Sequence, residues 1–357
     1  MEMEMEMDEE LYNLIYKYFS VYEVRRKEDE VIFLGEPLAD VEEIYRELFF
    51  EFAKRGYEIS IRRSLGEFET TVKRMREKKE KKGLNLILFI ATIFTTMFAG
   101  VLLYGINPFE HPLEIYKGIP YTIAIMGVLG THEMGHYLMS RRKKVNTSLP
   151  FFIPFLPPLG TLGAVISMRG AMPDRRSLFD ISVAGPFVGL ILSIIVAFIG
   201  LSLPPPDIAQ SAGFKLLGIP PLFRIISYFT PYSGEITNPV AFAGWVGMLV
   251  TFINLLPVGQ LDGGHIARAM IGRYHELVST IVPILLIMVG ISMTYLLHVN
   301  DGGTWIFWGF LTWFFSMLGS SHPIDDKTPL DKRRVLFGIF IYAMGLMCIS
   351  PVPISSI

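Results

Sequence analysis

Seven apolar runs dominate the chain, near residues 84–105, 119–140, 179–202, 239–258, 277–298, 303–319 and 334–350. Bilayer hydrocarbon offers the backbone no water, so a stretch of about 17–25 apolar residues crosses it as a helix that satisfies its own amides. Charge obeys the same division. Residues 1–83 carry 21 acidic and 16 basic side chains, while the other 274 of the 357 residues carry 13 and 16. The net charge of −2 and the mean hydropathy of +0.42 average over two unlike parts and decide nothing about partners. The expected fold is an α-helical polytopic membrane protein of about seven spans with a small N-terminal soluble α+β domain. Residues 1–72 form that domain, 73–83 a basic linker and 84–350 the membrane-embedded part.

In the soluble part, apolar positions in LYNLIYKYF and VEEIYRELFFEFAKRG recur at helical spacing, whereas YEVRRKEDEVIFLG and YEISIRRSLGEFETTVK read as hairpins around polar turns. The predicted order is helix, two strands, helix, two strands. No catalytic motif occurs there, which leaves recognition, regulation or a folding anchor as its role. The opening MEMEMEM is expected to be a disordered tail. No secretory signal is expected, because the first long apolar run begins at Leu84. Cys348 is the only cysteine, so an intrachain disulfide is excluded.

Lys and Arg in the connections set the orientation. With seven spans, 20 basic residues fall on the side of the soluble domain and three (Lys117, Lys215 and Arg224) on the other. The expectation is a multi-pass protein of the cell membrane with its N-terminus cytoplasmic and its C-terminus outside. One uncharged run is not a span. Val145 to Met168 contains Pro150, Pro154, Pro157, Pro158, Gly160 and Gly163, which break a helix repeatedly. Basic residues flank both of its ends, so it is expected to dip in and return, with GTLGAVISMRG partly extended. Non-helical backbone at that depth needs protein or a water-filled cavity beside it.

Residues 131–140, THEMGHYLMS, place two histidines and a glutamate inside the second run. In a helix His132 and His136 are i and i+4, about 40° apart in azimuth and about 6 Å along the axis, so both imidazoles reach one metal ion. Glu133 lies about 100° round, placed to address a water rather than the ion. This is the HExxH arrangement of zinc proteases. Polar packing between helices or a proton relay is the competing account. The third ligand is not local: Arg142 stands where a metzincin has its third histidine, and no glutamate occurs between Glu133 and Glu235. Asp174, Asp180, Asp207, Asp262 and His265 remain. Asp262 is the best placed, in NLLPVGQLDGGHIARAM, where Pro257, Gly259, Gly263 and Gly264 interrupt the helix and let a carboxylate turn inward. Asp180 reads as a first-turn helix residue, and His265 as a support for the metal site or a packing residue.

HEMGH in a span, followed more than a hundred residues later by NLLPVGQLDGG, resembles the site-2 protease family of intramembrane zinc metalloproteases. The similarity extends over residues 84–320 and includes VAGPFVGL in the third run. The resemblance implies one Zn²⁺ on His132, His136 and Asp262, Glu133 as general base, and Asn254 as the group that steadies the substrate or its oxyanion. It also implies that the returning segment offers a strand edge to an unwound substrate, with the Val165 amide as one donor. The substrate is then a single-span or multi-span membrane protein in the lipid bilayer; no nucleic acid is expected. With Zn²⁺ bound and both histidines neutral, Asp262 and Glu133 bring the formal charge of the cluster to zero, which makes its burial tolerable. A zinc- or proton-coupled transporter is the alternative, but a relay does not require Glu beside His together with a separate Asn-x7-Asp element. The longest outside loop, 203–238, leaves no room for a PDZ domain, and no C-terminal CBS pair follows, so substrate selection does not carry over from the family.

Overall fold

The computed structural model describes residues 9–27, 30–64, 66–74, 82–168, 172–205, 218–231, 237–296, 302–319, 323, 325–326 and 328–350. The methionine–glutamate tail, linker residues 75–81, and Asp207 and Lys215 lie outside them. Two compact units divide the chain, Met1–Glu80 and Lys81–Ile357.

The first unit runs α1 (Glu9–Tyr18), β1 (Phe19–Lys27), β2 (Glu30–Pro37), α2 (Val41–Lys54), β3 (Tyr57–Ser64) and β4 (Glu67–Arg74), in the order expected from the periodicities. The strands form one antiparallel sheet in the order β1-β2-β4-β3, so the two αββ halves meet at β2 and β4. Leu11 and Ile15 of α1, and Ile44, Leu48 and Phe52 of α2, are buried, as are Phe19, Val31, Phe33, Ile59 and Val72 of the sheet. Tyr12 and Tyr16 meet Phe33 edge-on at 5.4 and 6.4 Å.

In the second unit, each of the seven apolar runs contributes a helix: α3 (Lys82–Leu103), α4 (Ile119–Arg142), α5 (Arg175–Ser202), α7 (Pro239–Asn254), α9 (His275–Tyr295), α10 (Gly302–Met317) and α11 (Lys332–Met347). Two shorter helices intervene, α6 (Pro221–Ser227) and α8 (Asp262–Ile271). Among the described residues, three helical segments are long and apolar enough to cross a membrane: Gly83–Leu103, Arg175–Ser202 and Asp262–Tyr295. The expectation of about seven spans is not met by this measure, for physical reasons. α7, α10 and α11 have 16 residues each, or about 24 Å against a hydrocarbon core of about 30 Å. α4 has 24 residues, but its second half carries His132, Glu133, His136, Arg141 and Arg142.

α4, α5 and α7 form the centre, where Tyr121, Ile125, Val128, Leu190, Ala197, Ala241, Trp245 and Met248 are buried in one cluster. Small residues let these helices approach: a Cβ on Gly200 would lie 2.0 Å from the Ala241 amide nitrogen. The segment 145–168 is a hairpin, β5 (Phe151–Pro154) antiparallel to β6 (Thr161–Val165) and extended by a Thr147–Met168 bridge. α5 begins at Arg175 with Asp174 as its cap, the Asp174 carboxylate accepting from the Ser177 amide at 2.7 Å. That start corrects the reading of Asp180, which lies inside the helix and not in its first turn.

Candidate metal centre

The second half of α4 presents His132 and His136 on one face, each only 4% exposed. Their space comes from α5. A Cβ on Gly185 would sit 2.1 Å from the His136 Nε2, and one on Gly189 would sit 2.9 Å from the His132 Nδ1. The glycines of VAGPFVGL are thus the seats of the two rings. Asp262 opens α8 just beyond the break after α7, where Gly259 holds a φ of +49° that favours glycine.

These elements bring three donor atoms to one point. The Asp262 Oδ2 lies 3.2 Å from the Nε2 of both His132 and His136, and the two Nε2 atoms are 3.3 Å apart. Zinc–ligand bonds of about 2.0–2.1 Å in tetrahedral geometry place neighbouring ligands about 3.3–3.4 Å apart. The triangle therefore matches one face of a zinc tetrahedron, and two imidazoles with a carboxylate are a suitable donor set. No fourth side chain joins the cluster among the described residues, which leaves a coordination position open. The Nδ1 of His136 donates to the Ile181 carbonyl at 2.8 Å, so Nε2 keeps its lone pair for a metal.

Glu133 stands outside the ligand triangle and lines the adjoining cavity of about 540 Å³. Ile166, just past β6, lines the same cavity. Asn254, the last residue of α7, lines the same cavity with its Nδ2 3.3 Å from the His132 Nε2. The whole of β6 forms another wall.

The remaining candidates separate cleanly. Asp174 is occupied as a helix cap. Asp180 accepts from the Arg334 Nε and Nη2 at 2.7 and 2.8 Å and pairs with the Lys143 Nζ at 2.5 Å. It clamps the ends of α4 and α11 to α5, one residue before the carbonyl that orients His136. Asp207 lies outside the described residues. His265 lines the cavity without joining the triangle. Two contributions were not read from sequence: the Ile181 carbonyl and the Asp180 clamp. The first is a backbone group that leaves no residue signature, and the clamp joins distant charges.

The model of "Peptidase family M50" matches residues 120–297. The chain is 32% identical over 244 residues to a probable chloroplastic zinc metalloprotease, EGY1, of Arabidopsis thaliana, covering 64% of this chain and 42% of that protein. It is 28% identical over 281 residues to the probable chloroplastic zinc metalloprotease EGY2 of Oryza sativa subsp. indica, covering 74% and 49%. The probable chloroplastic zinc metallopeptidase EGY3 of Arabidopsis thaliana is 28% identical over 252 residues, covering 64% and 42%. The chain thus spans less than half the length of these curated relatives. No solved structure matches. The family match contains HEMGH and NLLPVGQLDGG, whose side chains the fold brings together around one possible metal position, and this chain belongs to peptidase family M50, the site-2 protease family.

Proposed function

We propose that this chain is an intramembrane zinc metalloprotease that hydrolyses a peptide bond within or next to a transmembrane segment of a membrane protein. The observation that carries the reading is the convergence of the His132 and His136 Nε2 atoms and the Asp262 Oδ2 at 3.2–3.3 Å on a cavity walled by β6. Zinc held there supplies Lewis acidity, lowering the pKa of a water and polarising a carbonyl. Glu133, which lines the cavity beside the triangle, accepts a proton from the attacking water. As the new C–O bond forms and the C–N bond breaks, that proton passes to the leaving amine, yielding a carboxylic acid and an amine. Asn254 directs its amide toward the substrate carbonyl. β6 pairs with the unwound substrate and satisfies the backbone groups its helix has released. The transporter reading has no observation in its favour, because the three side chains converge on one point and do not string into a relay.

In the same reading all seven helices cross the cell membrane, with the N-terminus cytoplasmic, the C-terminus outside and residues 145–168 re-entering from the cytoplasmic side. Residues 1–72 select or regulate substrates, 73–83 link, and 84–350 cut. The basic bias of the connections supports that orientation. The test is cleavage of a model transmembrane substrate in proteoliposomes before and after chelation. Activity is expected to vanish with the metal and return with one zinc per chain. Cleavage that persists in the metal-free protein contradicts the proposal.

A further inference from the structure

α8 opens with the sequence Asp262-Gly263-Gly264-His265, and its first and fourth residues share a helix face. The two glycines between them are dictated by contact. A Cβ on Gly263 would lie 2.3 Å from the Leu255 carbonyl oxygen, and one on Gly264 would lie 2.4 Å from that of Gly259. The first turn of α8 is therefore pressed into the loop after α7, and this docking aims Asp262 and His265 together.

His265 is 6% exposed and lines the cavity that holds the metal triangle, Glu133 and Asn254. Its Nδ1 and Nε2 are both buried and neither has a hydrogen-bond partner, so the ring must turn to offer one of them to the cavity. An imidazole in that condition forfeits its hydration without replacement, and an apolar residue of similar volume fills the space at lower cost. Its nitrogens are not among the converging ligand atoms, and the three present already leave one position open. The proton-accepting position is also taken, by Glu133 in the same cavity. What a neutral imidazole offers is one donor and one acceptor. An extended peptide in the cavity brings the complementary pair, a carbonyl oxygen and an amide hydrogen. Asn254 neighbours His132, His265 follows Asp262 in the first turn of α8, and both line the same cavity.

We infer that His265 is a substrate-contacting catalytic residue: its ring N–H donates a hydrogen bond to the carbonyl oxygen of the peptide bond being cut. The bond strengthens as that oxygen gains negative charge, so its benefit falls on the transition state more than on the bound substrate. The inference rests on the protease reading above.

The experiment uses the full chain in proteoliposomes with a cleavable transmembrane substrate. A phosphinic peptide of the same sequence serves as a tetrahedral mimic of the reacting bond. His265→Leu is expected to keep one zinc per chain and to lower kcat about 10²-fold, the loss typical of a deleted oxyanion donor. It should weaken phosphinic-peptide binding at least tenfold. In the inactive Glu133→Gln background, adding His265→Leu should change the Kd of intact substrate by less than about twofold. His265→Gln, which retains a donor, should recover part of both losses, and it serves as the deciding variant if Leu unfolds the protein. Full kcat in His265→Leu, or in His265→Gln with unchanged phosphinate binding when Leu does not fold, overturns the inference; so does zinc loss in step with activity. A wild-type chain that fails to cleave sinks the protease reading instead, so the two failures are distinguishable.

Discussion

At the scale of single residues, Gly185 shows how little freedom the centre has. With only 2.1 Å between a prospective Cβ and the His136 Nε2, Gly185→Ala must displace the ring. Zinc content should fall well below one per chain, as measured by metal analysis of the purified protein, while Gly189→Ala, whose Cβ meets the His132 Nδ1 at the longer distance of 2.9 Å, should retain more. Asp262→Ala removes a donor and should likewise lower zinc sharply. Asp180→Ala should not, because that carboxylate belongs to Arg334 and Lys143. It should instead lower thermal stability by about 1–3 kcal/mol, the cost of stranding partly buried partners. Zinc lost in Asp180→Ala but kept in Asp262→Ala would reassign the third ligand. The contrast also explains what was legible in the sequence. His132, Glu133 and His136 are related by local helical spacing, and Asp262 stands out by its Pro- and Gly-rich setting. Asp180 has the same chemistry as Asp262, but its Arg334 partner lies 154 residues away, and only tertiary structure reveals it.

At the scale of elements, the proposed function makes the hairpin the part that presents the substrate. The Ser167 amide donates to the Ser148 Oγ and its carbonyl accepts from the Ser148 amide, both at 2.9 Å, so the Ser167 backbone faces the β5 side. Backbone amides alternate along a strand, so Ala164 donates toward the cavity and Val165 toward β5. The edge donor expected from sequence at Val165 is thus shifted by one residue, a distinction that needs the pairing register. Ala164→Pro should slow cleavage on the order of tenfold without releasing zinc. Val165→Pro should instead destabilise the hairpin, visible as faster proteolysis of 145–168. Substrates with Gly, Pro or Asn near the scissile bond should be cut faster than Leu-rich ones, since they unwind at lower cost. Equal rates for Ala164→Pro and wild type would reduce β6 to a filler. The αββαββ order of the first unit was readable because its periods of 3.6 and 2 alternate with clear turns. The span count was not, because apolar composition does not fix where a 16-residue helix such as α7 ends relative to the hydrocarbon.

At the scale of the whole molecule, the arrangement places the His132, His136 and Asp262 triangle, Glu133 and β6 around one cavity of about 540 Å³. Under the proposed function, a substrate that is itself in the membrane accounts for burying such a cluster among apolar helices. The most direct measurement compares wild type with Glu133→Gln, side by side, for zinc content and for cleavage of a transmembrane substrate in proteoliposomes. In the proposed mechanism Glu133 acts on the water, and it stands outside the ligand triangle, so both proteins should hold one zinc per chain and only the wild type should cut. Cleavage by Glu133→Gln at the wild-type rate, with zinc in place, would contradict the account.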